Sequence, residues 1–222
     1  MKPYHESAVA QFYLGDSSTI LADIPPSSVR TCVTSPPYYG LRAYLPEGHP
    51  DKDKEVGQED TPEEYVGRLV AVFGAVRRVL TEDGTLWLNI GDSYARGFGG
   101  GSPGPKSATN KGSYAGRKPG RKPAGLKGKD LIGVPWMVAF ALRKDGWCLR
   151  CDVVWNKPNA MTESVLDRPS RSHEYLFLLT KSERYFYDRD AILEPAESGP
   201  PRNRRSVWAV PTKASGVKHY AT

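Results

Sequence analysis

The stretch Arg30-Thr31-Cys32-Val33-Thr34-Ser35-Pro36-Pro37-Tyr38 runs without a break from a β-forming segment into a turn that cannot continue it. Threonine and valine suit a pleated strand, whereas Pro36 and Pro37 have fixed φ angles and no N–H to give to a ladder. Downstream, Leu45 to Asp60 is strongly polar and is expected to form an exposed loop. Thr61-Pro62-Glu63-Glu64 then carries the capping-box pattern, with Thr61 as N-cap, Pro62 in the first turn and Glu64 three positions on. Tyr65, Leu69, Val72, Phe73, Val76 and Leu80 recur at three- and four-residue spacing, which predicts a helix with one apolar face, stopped by Asp83-Gly84. Thr85 to Ile90 reads as the next strand. Strand, helix and strand make a βαβ crossover, so the fold class is α/β with a mostly parallel sheet.

The flanks extend the same pattern. Gln11 to Leu14 reads as a short strand ending at Gly15-Asp16, and Ile24-Pro25-Pro26-Ser27 marks a turn. Pro135 to Lys144 reads as a helix ended by Gly146, and Trp147 to Trp155 as a strand. Glu174 to Thr180 and Tyr185 to Tyr187 flank Lys181-Ser182-Glu183-Arg184, which predicts an antiparallel hairpin closing the sheet. The 222 residues suit a single domain, 1–222, with a basic glycine-rich insert at 94–128. No run is long and apolar enough for a membrane span or a signal peptide, so a cytoplasmic protein with no membrane partner is expected. Three cysteines do not make a disulfide framework, and the lone Cys148-x-x-Cys151 lacks further ligands at a zinc spacing, so no metal is expected.

The formal net charge is +6, and its placement is informative. Between Tyr94 and Gly128 stand Arg96, Lys106, Lys111, Arg117, Lys118, Arg121, Lys122 and Lys127, with ten glycines and no acid. Elsewhere acids slightly outnumber bases. Cations on a glycine-rich segment suit contacts to phosphates, although the same composition also describes a surface loop with no specific role.

Ligands of open α/β sheets bind beyond the carboxyl ends of strands, where Ser35-Pro36-Pro37-Tyr38 sits. The two prolines hold the turn rigid and present carbonyl oxygens, and the Ser35 hydroxyl adds another acceptor. An exocyclic base amine is a poor nucleophile because its lone pair is delocalised into the ring. Acceptors at Ser35 and the Pro36 carbonyl, placed around its two N–H groups, favour the pyramidal form that exposes the lone pair. Tyr38 is expected to stack on a base flipped out of a duplex.

Thr34-Ser35-Pro36-Pro37-Tyr38 resembles the catalytic motif of the N4-cytosine and N6-adenine DNA methyltransferases. The resemblance extends through Gly84-Thr85-Leu86-Trp87-Leu88-Asn89, Trp155-Asn156-Lys157-Pro158-Asn159, Asp167-Arg168-Pro169 and His173-Glu174-Tyr175-Leu176-Phe177. It implies a permuted class with this motif near the N-terminus and a Rossmann-like methyltransferase sheet. It also implies S-adenosylmethionine as cofactor, double-stranded DNA as partner and Ser35, Pro36, Pro37 and Tyr38 as the catalytic group. In that family the serine form usually accompanies N4-cytosine, while aspartate or asparagine usually accompanies N6-adenine. By the same comparison Asp16 and Thr34 are expected to bind the cofactor, with an ordinary turn or helix cap as the alternative for Asp16. Lys157, Asn159, Arg168 and Arg171, on the loop between two late strands, and Arg117, Lys118, Arg121 and Lys122, in the insert, are expected to contact DNA. A solvated loop would show similar charges, and His173 on the same loop suits either DNA contact or a structural role.

One family motif is missing. The form Phe-x-Gly-x-Gly, which cradles the methionine part of the cofactor, does not occur, and Gly99-Gly100-Gly101 is not followed by a convincing helix. The expectation is a partial catalytic domain with an incomplete sheet and an exposed edge, its cofactor pocket completed by a second chain or a missing C-terminal segment. Three alternatives remain open: an N6-adenine enzyme, a catalytically incomplete DNA-binding remnant, and an RNA or protein amino-methyltransferase. C5-cytosine chemistry fits less well, because none of Cys32, Cys148 and Cys151 follows a proline.

Overall fold

A computed structural model describes residues 2–46, 48–95 and 125–212. The elements in chain order are β1 (His5–Glu6), β2 (Gln11–Phe12), α1 (Ser17–Asp23), β3 (Val29–Thr34), α2 (Pro62–Val79), β4 (Leu80–Ile90), α3 (Val134–Lys144), β5 (Cys148–Asn156), β6 (His173–Thr180) and β7 (Val207–Ala209). Five strands form one sheet in the order β3-β4-β6-β5-β7, while β1 and β2 make a separate antiparallel hairpin. Neighbours β3 and β4 are parallel, as are β5 and β7, and β6 alone is reversed between β4 and β5.

The βαβ unit forms as its sequence predicts. Thr61 caps α2 by accepting from the Glu64 N–H, and the Glu64 side chain returns a bond to the Thr61 N–H. Tyr65, Leu69, Phe73 and Val76 bury the predicted face of α2. They meet Leu86, Leu88 and Ile90 of β4, Phe177 and Leu179 of β6, and Val134, Val138, Ala139 and Leu142 of α3 in a single core. Both long helices therefore cover one sheet face. Asn89 and Glu174, one position out of phase with Leu88 and Tyr175, project from the other.

Several local expectations are corrected. Helix α2 ends at Val79, four residues before Asp83, and passes directly into β4. Asp83-Gly84 instead lies where the β3–β4 register shifts, and a Cβ on Gly84 would lie 2.9 Å from the Thr81 carbonyl oxygen. Tyr185 to Tyr187 forms no strand. The reversal of β6 is satisfied by β4 and β5 on its two sides, which leaves no ladder position there for a hairpin partner. The strand expected over Gln11 to Leu14 stops at Phe12 as β2 and, among the described residues, pairs only with β1.

The loop at 45–60 is less exposed than its polarity suggests. Glu55 is buried because its carboxylate accepts the Leu45 N–H at 3.2 Å and the Tyr44 N–H, and pairs with Lys52 at 2.8 Å. Cys148 and Cys151 are half-buried free thiols on β5. No helix of the described residues is long and apolar enough to cross a membrane.

Candidate functional site

Because β3 and β4 are parallel and β6 is reversed, the carboxyl ends of the first two lie beside the amino end of the third. Ser35 and Tyr38 from the turn after β3, Asn89 from β4 and Glu174 from β6 meet there. The Tyr38 hydroxyl lies 2.9 Å from Asn89 Oδ1 and 2.8 Å from Glu174 Oε2, and accepts from Ser35 Oγ at 3.3 Å. Asn89 Nδ2 donates to the Tyr175 carbonyl at 3.2 Å, which turns Oδ1 toward Tyr38. Glu174 Oε1 is paired with the Lys157 ammonium, which also lies 4.5 Å from the centre of the Trp155 ring.

The turn is gripped from three sides. Tyr65, on the buried face of α2, donates to the Pro37 carbonyl at 2.8 Å. Gly57, at φ 92°, passes so close that a Cβ would lie 2.9 Å from the Tyr38 carbonyl oxygen. A Cβ on Gly91 would lie 2.6 Å from Cε2 of the Tyr38 ring. Burial first, and then the negative charge of Glu174, push the Tyr38 hydroxyl well above its ordinary pKa. The neighbouring Tyr39 is pushed up to about 12 by burial and then by Glu59, Glu63, Asp60 and Glu64. Both hydroxyls are therefore neutral donors. The result is a rigid, acceptor-rich cluster with Ser35 at its exposed end.

Ser35, Pro36, Pro37 and Tyr38 thus stand together, with Tyr38 half-buried and tethered. Thr34 is half-buried at the end of β3. Asp16 is exposed and caps α1, its Oδ1 accepting from the Ser18 and Thr19 N–H groups at 3.0 and 3.1 Å. The late-loop residues all have partners within the chain. Asn159 bonds the Thr212 carbonyl and N–H, at 2.6 and 2.8 Å. The Arg168 guanidinium lies 3.8 Å from the centre of the Tyr94 ring, and Arg171 pairs at 3.7 Å with the Asp92 carboxylate, whose side chain is 3% exposed.

Asp92 also accepts the Gly133 and Val134 N–H groups through Oδ1, both at 3.0 Å, and so caps α3 from a distance. Tyr94 and Leu131 bridge the two ends of the insert. Lys129 pairs with Asp167 at 2.6 Å, so the stem of the insert is bound to the late loop. Arg117, Lys118, Arg121 and Lys122 lie outside the described residues.

Sequence reasoning gave no role to Asn89, Glu174 or Gly91. The available signal was a polar residue inside an apolar strand, Asn89 after Leu86-Trp87-Leu88 and Glu174 before Tyr175-Leu176-Phe177.

A family model described as DNA methylase matches residues 29–221. The Type II methyltransferase M.XycI of Xanthomonas campestris pv. cyanopsidis is 54% identical over 94% of this chain and 66% of its own length. M.Cfr9I of Citrobacter freundii is 51% identical over 96% of this chain and 68% of its own length, and M.SmaI of Serratia marcescens 48% over 94% and 69%. The chain spans about two thirds of the length of these relatives. Among solved structures, the PvuII DNA methyltransferase (cytosine-N4-specific) superposes with a TM-score of 0.63 at 17% identity, over 97% of this chain and 62% of that one. A putative DNA modification methylase of Thermus thermophilus, complexed with S-adenosyl-L-methionine, gives 0.52 at 21% identity, over 90% and 66%. At these identities the likeness concerns the fold.

Proposed function

The chain belongs to the DNA methylase family, and on that premise we propose that it transfers a methyl group from S-adenosylmethionine to N4 of a cytosine flipped out of duplex DNA. The observation that carries this reading is the acceptor cluster at the end of β3. Ser35 stands at its exposed end on a turn held by Tyr65, Gly57 and Gly91. A base amine set against Ser35 and the Pro36 carbonyl has both N–H groups accepted and its lone pair turned outward. The choice of cytosine rests on the serine that opens the tetrapeptide.

S-adenosylmethionine, when bound, would supply an electrophilic sulfonium methyl with a neutral thioether as leaving group. The residues present fit part of such a ligand. Asp16, an exposed carboxylate at the start of α1, and Thr34, at the end of β3, are the acceptors assigned to it here. Tyr38 sets the plane of the base pocket, its ring fixed by a tethered hydroxyl and by Gly91. Arg117, Lys118, Arg121 and Lys122 supply phosphate contacts, while Arg168 and Arg171 act by fixing the insert stem and the late loop to each other.

The test is transfer of label from S-adenosylmethionine into duplex DNA by the full-length protein, with mass spectrometry of the product nucleosides and a Ser35→Ala control. N4-methylcytosine that disappears in the control supports the reading. N6-methyladenine would retain the chemistry and overturn the base. Binding of duplex DNA without product or cofactor binding would favour a DNA-binding remnant, and preference for RNA or protein would overturn the substrate.

A further inference from the structure

Methylation leaves the amine nitrogen with one proton too many, and the acceptors around the amine give that proton no destination. Resting on the reading of this site as an amino-methyltransferase, we propose that the proton passes through the hydroxyls of Ser35 and Tyr38 to Glu174, and that Lys157 is the positioning residue that holds Glu174 in line.

The hydrogen bonds already run in that direction. Ser35 Oγ donates to the Tyr38 hydroxyl at 3.3 Å, and that hydroxyl donates to Glu174 Oε2 at 2.8 Å. Asn89 cannot reverse the flow. Its amide nitrogen is committed to the Tyr175 carbonyl, so Asn89 faces Tyr38 with an oxygen, and Ser35 is the donor to the Tyr38 hydroxyl. Burial and the adjacent carboxylate disfavour tyrosinate, which makes Tyr38 a relay and no sink. The single hydroxyl hydrogen of Tyr38 can serve either Asn89 Oδ1 or Glu174 Oε2, and the carboxylate, nearer and charged, is the stronger acceptor. Glu174 has its other oxygen on Lys157 and keeps 18% of its side chain exposed, a route by which the proton can leave for solvent.

The step balances. One N–H bond of the methylated amine breaks and one O–H bond forms on Glu174, while Ser35 and Tyr38 each give up one proton and receive one. The products are a neutral methylamino base and a neutral carboxyl group.

Glu174→Gln separates this role from a tether, because its amide oxygen still accepts from Tyr38 but takes no proton. On the full-length protein, single-turnover methyl transfer is expected to fall about 10²-fold. KM for DNA, S-adenosylmethionine binding and the thermal midpoint are expected to stay close to wild type, and Glu174→Asp to recover part of the rate. Tyr38→Phe should lose a similar factor. The double variant Tyr38→Phe, Glu174→Gln should be no slower than the slower single variant, since both interrupt one path. A Glu174→Gln enzyme at the wild-type rate, or losses that multiply in the double variant, overturns the relay alone. A folded wild-type protein that methylates no base overturns the reading of the site, and the relay with it.

Discussion

Gly91 shows how much at this site depends on a single absent methyl group. Its Cβ would lie 2.6 Å from a ring whose hydroxyl is held between Asn89 Oδ1 and Glu174 Oε2, so the ring yields only by pulling its hydroxyl out of that tether. Gly91→Ala is therefore expected to cut methyl transfer at least tenfold while leaving the far-ultraviolet circular dichroism unchanged. Wild-type turnover in that variant would show that the tether of Tyr38 is dispensable.

His173, at the start of β6, carries a pH signature. Burial first, and the Arg171 guanidinium second, hold its pKa below the ordinary 6.5. The unfolded chain takes up this proton before the folded one, so His173 contributes stability above about pH 6.5 that is lost as pH falls toward the depressed folded value. Urea titrations on either side of that pH should show stability declining on acidification, with a shallower decline in His173→Asn. An equal slope in both proteins would assign the acid sensitivity elsewhere.

Among the elements, α2 is legible from its sequence because everything that makes it is local. The capping box, the proline in the first turn and the apolar spacing lie within the helix or one residue before it. The junction of the late loop with the insert stem is different in kind. Asp92 joins Arg171 to the N-terminus of α3, and Arg168 covers Tyr94, through pairs widely separated in sequence. Composition alone does not say which charges on a loop already have partners within the chain. Asp92→Ala leaves the Gly133 and Val134 N–H groups at the start of α3 and the half-buried Arg171 guanidinium without this partner, and is expected to cost about 2–4 kcal/mol by chemical denaturation. A loss below about 0.5 kcal/mol would mean that solvent satisfies these groups, the usual outcome for an exposed site.

For the whole molecule, the separation of charge is the feature most open to measurement. Eight cations without an acid in the insert, on a chain that elsewhere carries slightly more acids than bases, predict DNA binding that weakens steeply with salt. Replacing Arg117, Lys118, Arg121 and Lys122 together by alanine should flatten the plot of log affinity against log salt by about 0.9 for each phosphate no longer neutralised. An unchanged slope would remove the insert from the interface. The sequence by itself determined the β-strand that breaks at Ser35-Pro36-Pro37-Tyr38, helix α2, the crossover between β3 and β4 and the family they signal, because propensity, capping and proline geometry act over a few residues. Only the tertiary structure decided the partners of Tyr38, which lie 51 and 136 residues away at Asn89 and Glu174. Those contacts depend on β6 entering the sheet in reverse between β4 and β5, which sets its amino end beside the carboxyl ends of β3 and β4, a pairing between segments too far apart in sequence for any local pattern to specify.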